Sequence, residues 1–233
     1  MDDSFSHLGL ALAVFLASHS IPALPNLRAV LVRRLGERGY LAAYSLLSLS
    51  LLGWLIHAAL TAPYAELWGH PPGAAWIPTL VMPWACILLV AGVTTPNPLS
   101  FGSLSGPYDP ARPGIVAITR HPVLWGVTLW AGAHLAPNGD VAAAAMFGLF
   151  TGFGFIGPLL VDSKIRRRMG PETWNRLAAG TAVMPGSALL RGRAAFAWRD
   201  LGWARVAGGL ALYFALIPVH EWVFGVWPWP AGF

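Results

Sequence analysis

The sequence predicts an all-α integral membrane bundle of about six transmembrane helices, and three observations carry that expectation. Hydrophobic residues make up 56% of the chain and charged residues only 11%, where soluble domains carry about 25% charge. Apolar runs close to the ~20 residues that a bilayer core demands recur along the whole length. The lysine and the arginines fall in alternate connections between those runs, with Arg205 at the margin of the sixth, as crossing helices require.

The runs lie at about 7–25, 41–60, 76–93, 121–137, 141–161 and 203–224, with no long polar block to mark a second domain, so residues 1–233 form a single membrane domain. The first run follows Asp2 and Asp3 instead of a basic region and ends at Pro22 and Pro25, so it is expected to stay in the mature protein. The third contains Cys86, the single cysteine, which leaves no disulfide framework and no cysteine metal site. In the fourth, Pro122 suits the first helical position and disfavours helix at the residue before it, which makes His121 the N-cap. Small residues recur every four positions at Gly9, Ala13 and Ala17, at Ala144, Gly148 and Gly152, and at Ala207, Ala211 and Ala215, and such seams permit close helix contact in lipid. The polar stretch at about 162–202 is expected to be a cytoplasmic loop with a short amphipathic helix around Lys164 to Leu177.

Charge placement sets the orientation. Fourteen of the fifteen basic residues occupy the connections after the first, third and fifth runs and Arg205 stands at the adjoining margin of the sixth run, while Asp2, Asp3, Glu66, Asp140 and Glu221 lie at the opposite ends. The positive-inside rule then predicts a multi-pass protein of the bacterial inner membrane with both termini periplasmic. The net charge of +5 is accounted for by juxtamembrane arginines facing anionic membrane lipid and does not call for nucleic acid.

Ionisable groups within or beside the membrane are costly, which makes the seven histidines the first functional candidates. His7, His57, His70, His134 and His220 fall at or beyond the outer boundary, where an imidazole reaches interfacial water. His19 lies in the inner half of the first helix, below Leu8, Leu12 and Phe15 on one face, an apolar wall suited to a flat hydrophobic cofactor. At His121 the positive end of the helix favours a neutral ring, the form that binds metal, although capping alone also accounts for the residue. His121 and His134 are thirteen residues apart on one helix, about 20 Å along its axis, and cannot share one iron. Depth therefore pairs His19 with His121. Arg28 and Arg120 share that inner boundary, where they suit either porphyrin carboxylates or lipid phosphate. The chain has no glycine-rich phosphate loop, no GxSxG, no HExxH and no paired cysteines, so nucleotide, hydrolase and zinc-protease chemistry have no sequence support.

An ordered set of motifs spans nearly the whole chain: HS at 19–20, RRLGERGYLAAYSLLSL at 33–49, APYAELW at 62–68, PNP at 96–98, ITRHPVLWGVTLWAGAHL at 118–135, NGD at 138–140 and RRRMGPETW at 166–174. The set resembles the NnrU family, which is associated with the nitrite and nitric oxide reductase systems of denitrifying bacteria and is related to the zeta-carotene isomerase of plants and cyanobacteria. The resemblance implies haem b, with its ligand histidines at His19 and His121. It implies either a role in nitric oxide handling or reductase assembly, or haem-dependent cis–trans isomerisation of a hydrophobic polyene. Kinship of fold is only an associational warrant for chemistry.

A rival resemblance rests on RHPVLWG at 120–126 and the later KIRRRMGPETW, which look like the RHPxYxG pattern of membrane isoprenylcysteine and phospholipid methyltransferases that use S-adenosylmethionine. Here Leu124 and Trp174 stand where that pattern has tyrosines, and Asp162 and Ser163 stand near the place of its paired glutamates. A non-enzymatic membrane assembly factor is the third class.

Overall fold

The computed structural model describes residues 3–20, 25–101 and 106–230. These residues are helical, with α1 (Asp3–Ser20), α2 (Pro25–Leu60), α3 (Trp76–Thr94), α4 (Pro122–Leu135), α5 (Val141–Met169), α6 (Pro171–Ala178), α7 (Ser187–Leu190), α8 (Trp198–Leu201) and α9 (Trp203–Phe224), and one 3₁₀ turn at Gly114–Ala117. Among them the nearest approach to a sheet is an isolated antiparallel bridge between Glu66 and Asp140. The protein is all-α, as its composition implies.

Among the described residues four helices are long and apolar enough to cross a membrane: Leu27–Leu60 within α2, then α3, α5 and α9. The apolar helix Phe5–His19 is shorter, and α4 has 14 residues, about 21 Å against a hydrocarbon core of ~30 Å. Each of the six expected runs is a helix, but their spans are unequal. Large apolar side chains face outward along the long helices, Leu46 at 69% and Leu160 at 65% exposure, which a lipid environment tolerates and water does not. Pro83, Pro158 and Pro218 sit inside α3, α5 and α9, where membrane helices accommodate proline.

Boundaries depart from the hydropathy pattern at two places. Helix α2 begins at Pro25, well before residue 41, and turns at Gly36, whose φ of 69° lies in the left-handed region. No proline interrupts the basic segment, so it continues as helix, and only glycine supplies that turn without a steric cost. Helix α5 likewise carries Lys164 to Arg168 on to Met169 before Gly170 breaks the chain, so the amphipathic helix is α6 alone. It buries Trp174 and Ala178 against Leu99 and Ile165.

The chain forms two compact units, one of residues 1–69 and 139–146, the other of 70–138 and 147–233. In the first, α1 packs along α2, burying Leu8, Ala11, Phe15, Tyr40 and Leu55. Backbone bonds from Leu67 and Trp68 to the Gly139 carbonyl, at 2.7 and 3.0 Å, tie the segment after α2 to the start of α5. In the second, α3 lies between α4 and α9. Close approach there uses glycines other than the expected seams: Gly92 and Gly126 at the α3–α4 contact, Gly209 against Ile87, and Gly154 against Thr128. A Cβ added at Gly9, Gly148 or Gly152 meets nothing within 4 Å. Periodicity of small residues locates a permissive stripe but not the helix that occupies it.

Candidate functional site

His19 is held on α1 by a local bond, with Nδ1 lying 2.8 Å from the Phe15 carbonyl and 3.2 Å from Ser18 Oγ. A carbonyl only accepts, so Nδ1 carries the hydrogen and the lone pair is on Nε2, which has no partner among the described residues. The bond fixes the tautomer and the ring orientation, as it does at His134 and His220. The ring packs on Phe15 with centroids 4.2 Å apart and meets Tyr44 edge-on at 6.0 Å. Tyr44 in turn stacks with Tyr40, and the Arg28 guanidinium lies 5.4 Å from the Tyr40 centroid. Arg28 is ion-paired with Glu37 at 3.0 Å across the Gly36 turn. The expected wall of Leu8, Leu12 and Phe15 is used mainly for packing, since Leu8 and Phe15 are buried.

His121 is the N-cap residue of α4, followed by Pro122 at the first helical position, but its ring makes no capping bond. The ring is completely buried and both nitrogens are engaged: Nε2 lies 2.9 Å from Asp162 Oδ1, and Nδ1 lies 2.9 Å from Ser100 Oγ. An ionised Asp162 accepts from Nε2–H, which leaves Nδ1 to accept from the Ser100 hydroxyl. In this tautomer the ring has no lone pair free for a metal.

Arg120 shares the carboxylate. Its Nη1 donates to Asp162 Oδ2 at 2.9 Å and its guanidinium lies 4.9 Å from the Trp174 ring centroid, while Nε is buried without a partner. Burial pulls the guanidinium below its ordinary value, Asp162 acts in the opposite direction and Arg193 adds to the lowering. The backbone around it is equally bound: Arg120 N–H donates to the Ala182 carbonyl at 2.8 Å, and Asn97 Nδ2 donates to the Arg120 carbonyl at 2.9 Å. Thr119 Oγ1 and Trp125 Nε1 both donate to the Val183 carbonyl at 2.8 Å. Four segments, after α3, before α4, at the end of α5 and before α7, thus converge on the Arg120–His121 turn.

The sequence picked out His121 and Arg120 but not Ser100 or Asn97, and it noted Asp162 only as a departure from a methyltransferase pattern. The available signals were an acid that is unique within α5 and a polar PNP segment immediately after an apolar helix. Arg28 and Arg120, proposed partners for porphyrin carboxylates, are paired with carboxylates of this chain. His19 belongs to the first unit and His121 to the second, each with its own neighbours.

The remaining histidines have local partners or face outward. Trp54 Nε1 donates to His7 Nε2 at 2.8 Å, and the His57 ring lies 6.4 Å from that of His7. His134 anchors Nδ1 on the Trp130 carbonyl at 2.7 Å and stacks on Phe147, and His220 anchors Nδ1 on the Val226 carbonyl at 2.8 Å. His70 is exposed. Among the described residues no three His, Cys, Asp or Glu side chains converge as a metal-binding group.

The family model described as NnrU protein matches residues 7–228, nearly the whole chain. The chain belongs to the NnrU family. The match takes in both the His19–Ser20 motif and the Arg120-His121-Pro122 turn, so both clusters lie within the NnrU region. No curated protein and no solved structure matches the chain.

Proposed function

We propose that this NnrU-family membrane protein binds haem b with His19 as an axial ligand. One observation carries the reading: His19 has its Nδ1 hydrogen directed to the Phe15 carbonyl and leaves Nε2 without a partner, beside the Phe15 and Tyr44 rings. His134 and His220 share the carbonyl anchoring, and the expected position of His19 at the inner boundary is what separates it from them. A bound haem supplies iron that coordinates a diatomic such as nitric oxide or lowers the barrier to rotation in a polyene. The protein's own part is to orient the His19 ring and to hold hydrophobic surface and membrane lipid around the site. These two uses correspond to a role in denitrification, including reductase assembly, and to an isomerase. In this reading the site lies toward the cytoplasmic side of the bacterial inner membrane, with the basic connections cytoplasmic and both termini periplasmic, and charge placement supports that orientation.

Protein purified in detergent from cells supplied with haem should show a Soret band and the pyridine haemochrome of haem b. His19→Ala should lose most of the haem, while His57→Ala and His134→Ala keep it. Colourless wild-type protein, or haem retained in His19→Ala and lost in His134→Ala, refutes the assignment.

A second reading, methyl transfer from S-adenosylmethionine, draws on the meeting of Arg120, His121, Asp162 and Trp174 in one cluster. The donors and acceptors on Asp162 and His121 are already used within the chain. Titration calorimetry with S-adenosylmethionine is expected to give no saturable heat, and micromolar binding abolished by Asp162→Ala would make this the better reading.

A further inference from the structure

His121 is a buried hydrogen-bonding hub, and in its observed state it does not offer a nitrogen to iron. Its ring is 0% exposed, Nε2–H is 2.9 Å from Asp162, and the Nδ1 lone pair is 2.9 Å from the Ser100 hydroxyl. Ligation through Nε2 would require its proton to pass to Nδ1, the ring to leave the Asp162 carboxylate, and Ser100 to turn from donor to acceptor at Nδ1. Asp162 would then face Arg120 alone, and the half-buried Ser100 hydroxyl would need a new acceptor for its proton. His19 shows the opposite pattern, with one nitrogen anchored and the other without a partner.

We infer that His121 is not an axial iron ligand, and that the Ser100–His121–Asp162–Arg120 chain is a positioning network that locks the turn entering α4 to the end of α5. The network is arranged for that work. Asp162 is the single acid of α5, and its two oxygens are divided between neighbouring residues, Oδ1 to His121 and Oδ2 to Arg120 at 2.9 Å each. Ser100 brings in the segment following α3, and Asn97 in the same segment binds the Arg120 carbonyl and the Leu99 N–H. Trp174 of α6 covers the guanidinium. A neutral imidazole donates at one nitrogen and accepts at the other, so these two bonds account for a histidine here without a metal.

The inference rests on the haem reading above, and its failure is distinguishable from a failure of that reading. The full-length protein is compared with His121→Gln, Ser100→Ala and the double variant, reading haem-to-protein ratio, ferric absorption spectrum and melting temperature with and without haem. His121→Gln should keep the wild-type haem ratio and ferric bands while melting several degrees lower in both forms. The double variant should melt close to His121→Gln, because both changes break one network. Should His121→Gln fail to fold, Ser100→Ala and Asp162→Asn, which retain the ring, should lower the melting temperature and leave the ferric spectrum unchanged. Loss of haem or a change of spin state in any of these variants, with the haem-free melting temperature unaltered, overturns the inference. So does recovery of the wild-type spectrum when imidazole is added to His121→Gly. A wild-type protein without haem refutes the haem reading instead, and coupled melting of His121→Gln and Ser100→Ala still tests the network.

Discussion

Tyr108 carries a hydroxyl buried without a partner, close enough to Arg120 for their charges to interact. Burial pushes its phenol up to about 12, Arg120 opposes the rise and Asp109 adds to it. Because the folded value exceeds the unfolded value of ~10, the contribution to stability is whole below about pH 10 and is lost as pH rises toward the folded value. An ultraviolet phenolate titration should therefore show a late step that is absent in Tyr108→Phe. The same substitution removes an unsatisfied hydroxyl and should leave stability equal or raise it by about 1 kcal/mol. Ion pairs at the two clusters should differ in the same way as their burial. Asp162→Ala strands Arg120, whose side chain is 11% exposed, and should cost about 3–5 kcal/mol. Glu37→Ala removes a partner that is 68% exposed and should cost less than about 1 kcal/mol. Denaturant unfolding in detergent measures both, and comparable losses would contradict the burial argument.

At the scale of elements, glycine marks where helices touch. A Cβ at Gly154 runs into Thr128 of α4, whose hydroxyl is already bonded to the Leu124 carbonyl at 2.7 Å. Gly154→Ala should cost about 1–3 kcal/mol by overpacking. Gly148→Ala, with open space around the new atom, should be neutral or gain up to about 1 kcal/mol of helix propensity. Thermal unfolding of the two variants checks the contrast, and equal effects would remove the α4–α5 contact as its cause. Gly36 is a different case, since its φ of 69° and not its packing demands glycine. There Gly36→Ala should cost about 1–2 kcal/mol and weaken the turn that brings Arg28 to Glu37.

For the whole molecule, the testable property is orientation. The basic residues fall in alternate connections with Arg205 at the margin of the sixth run, and Arg166, Arg167 and Arg168 stand in the last turn of α5. A reporter enzyme active only in the periplasm should work when fused after Phe233 and fail when fused after Arg168. The reverse pattern would put the His19 end of α1 on the outer face and remove the depth argument for the haem site.

Fold class was legible in the sequence because transfer from water to lipid is summed over whole segments, so 56% hydrophobic content and six apolar runs outweigh any local uncertainty. The N-cap at His121 was equally legible, because proline's fixed ring geometry acts on its immediate neighbour. His19 stood out by its depth on an apolar helix face, and its anchor on Phe15 is a bond between positions four apart on that helix. What only tertiary structure decided is who meets whom across the chain: Asp162 with His121, Ser100 with the same ring, Trp174 over Arg120, and Gly154 instead of Gly152 against α4. Those contacts join residues 21 to 54 positions apart or more than one helix, and hydrogen bonds of ~3 Å depend on backbone placement that no hydropathy or spacing rule resolves.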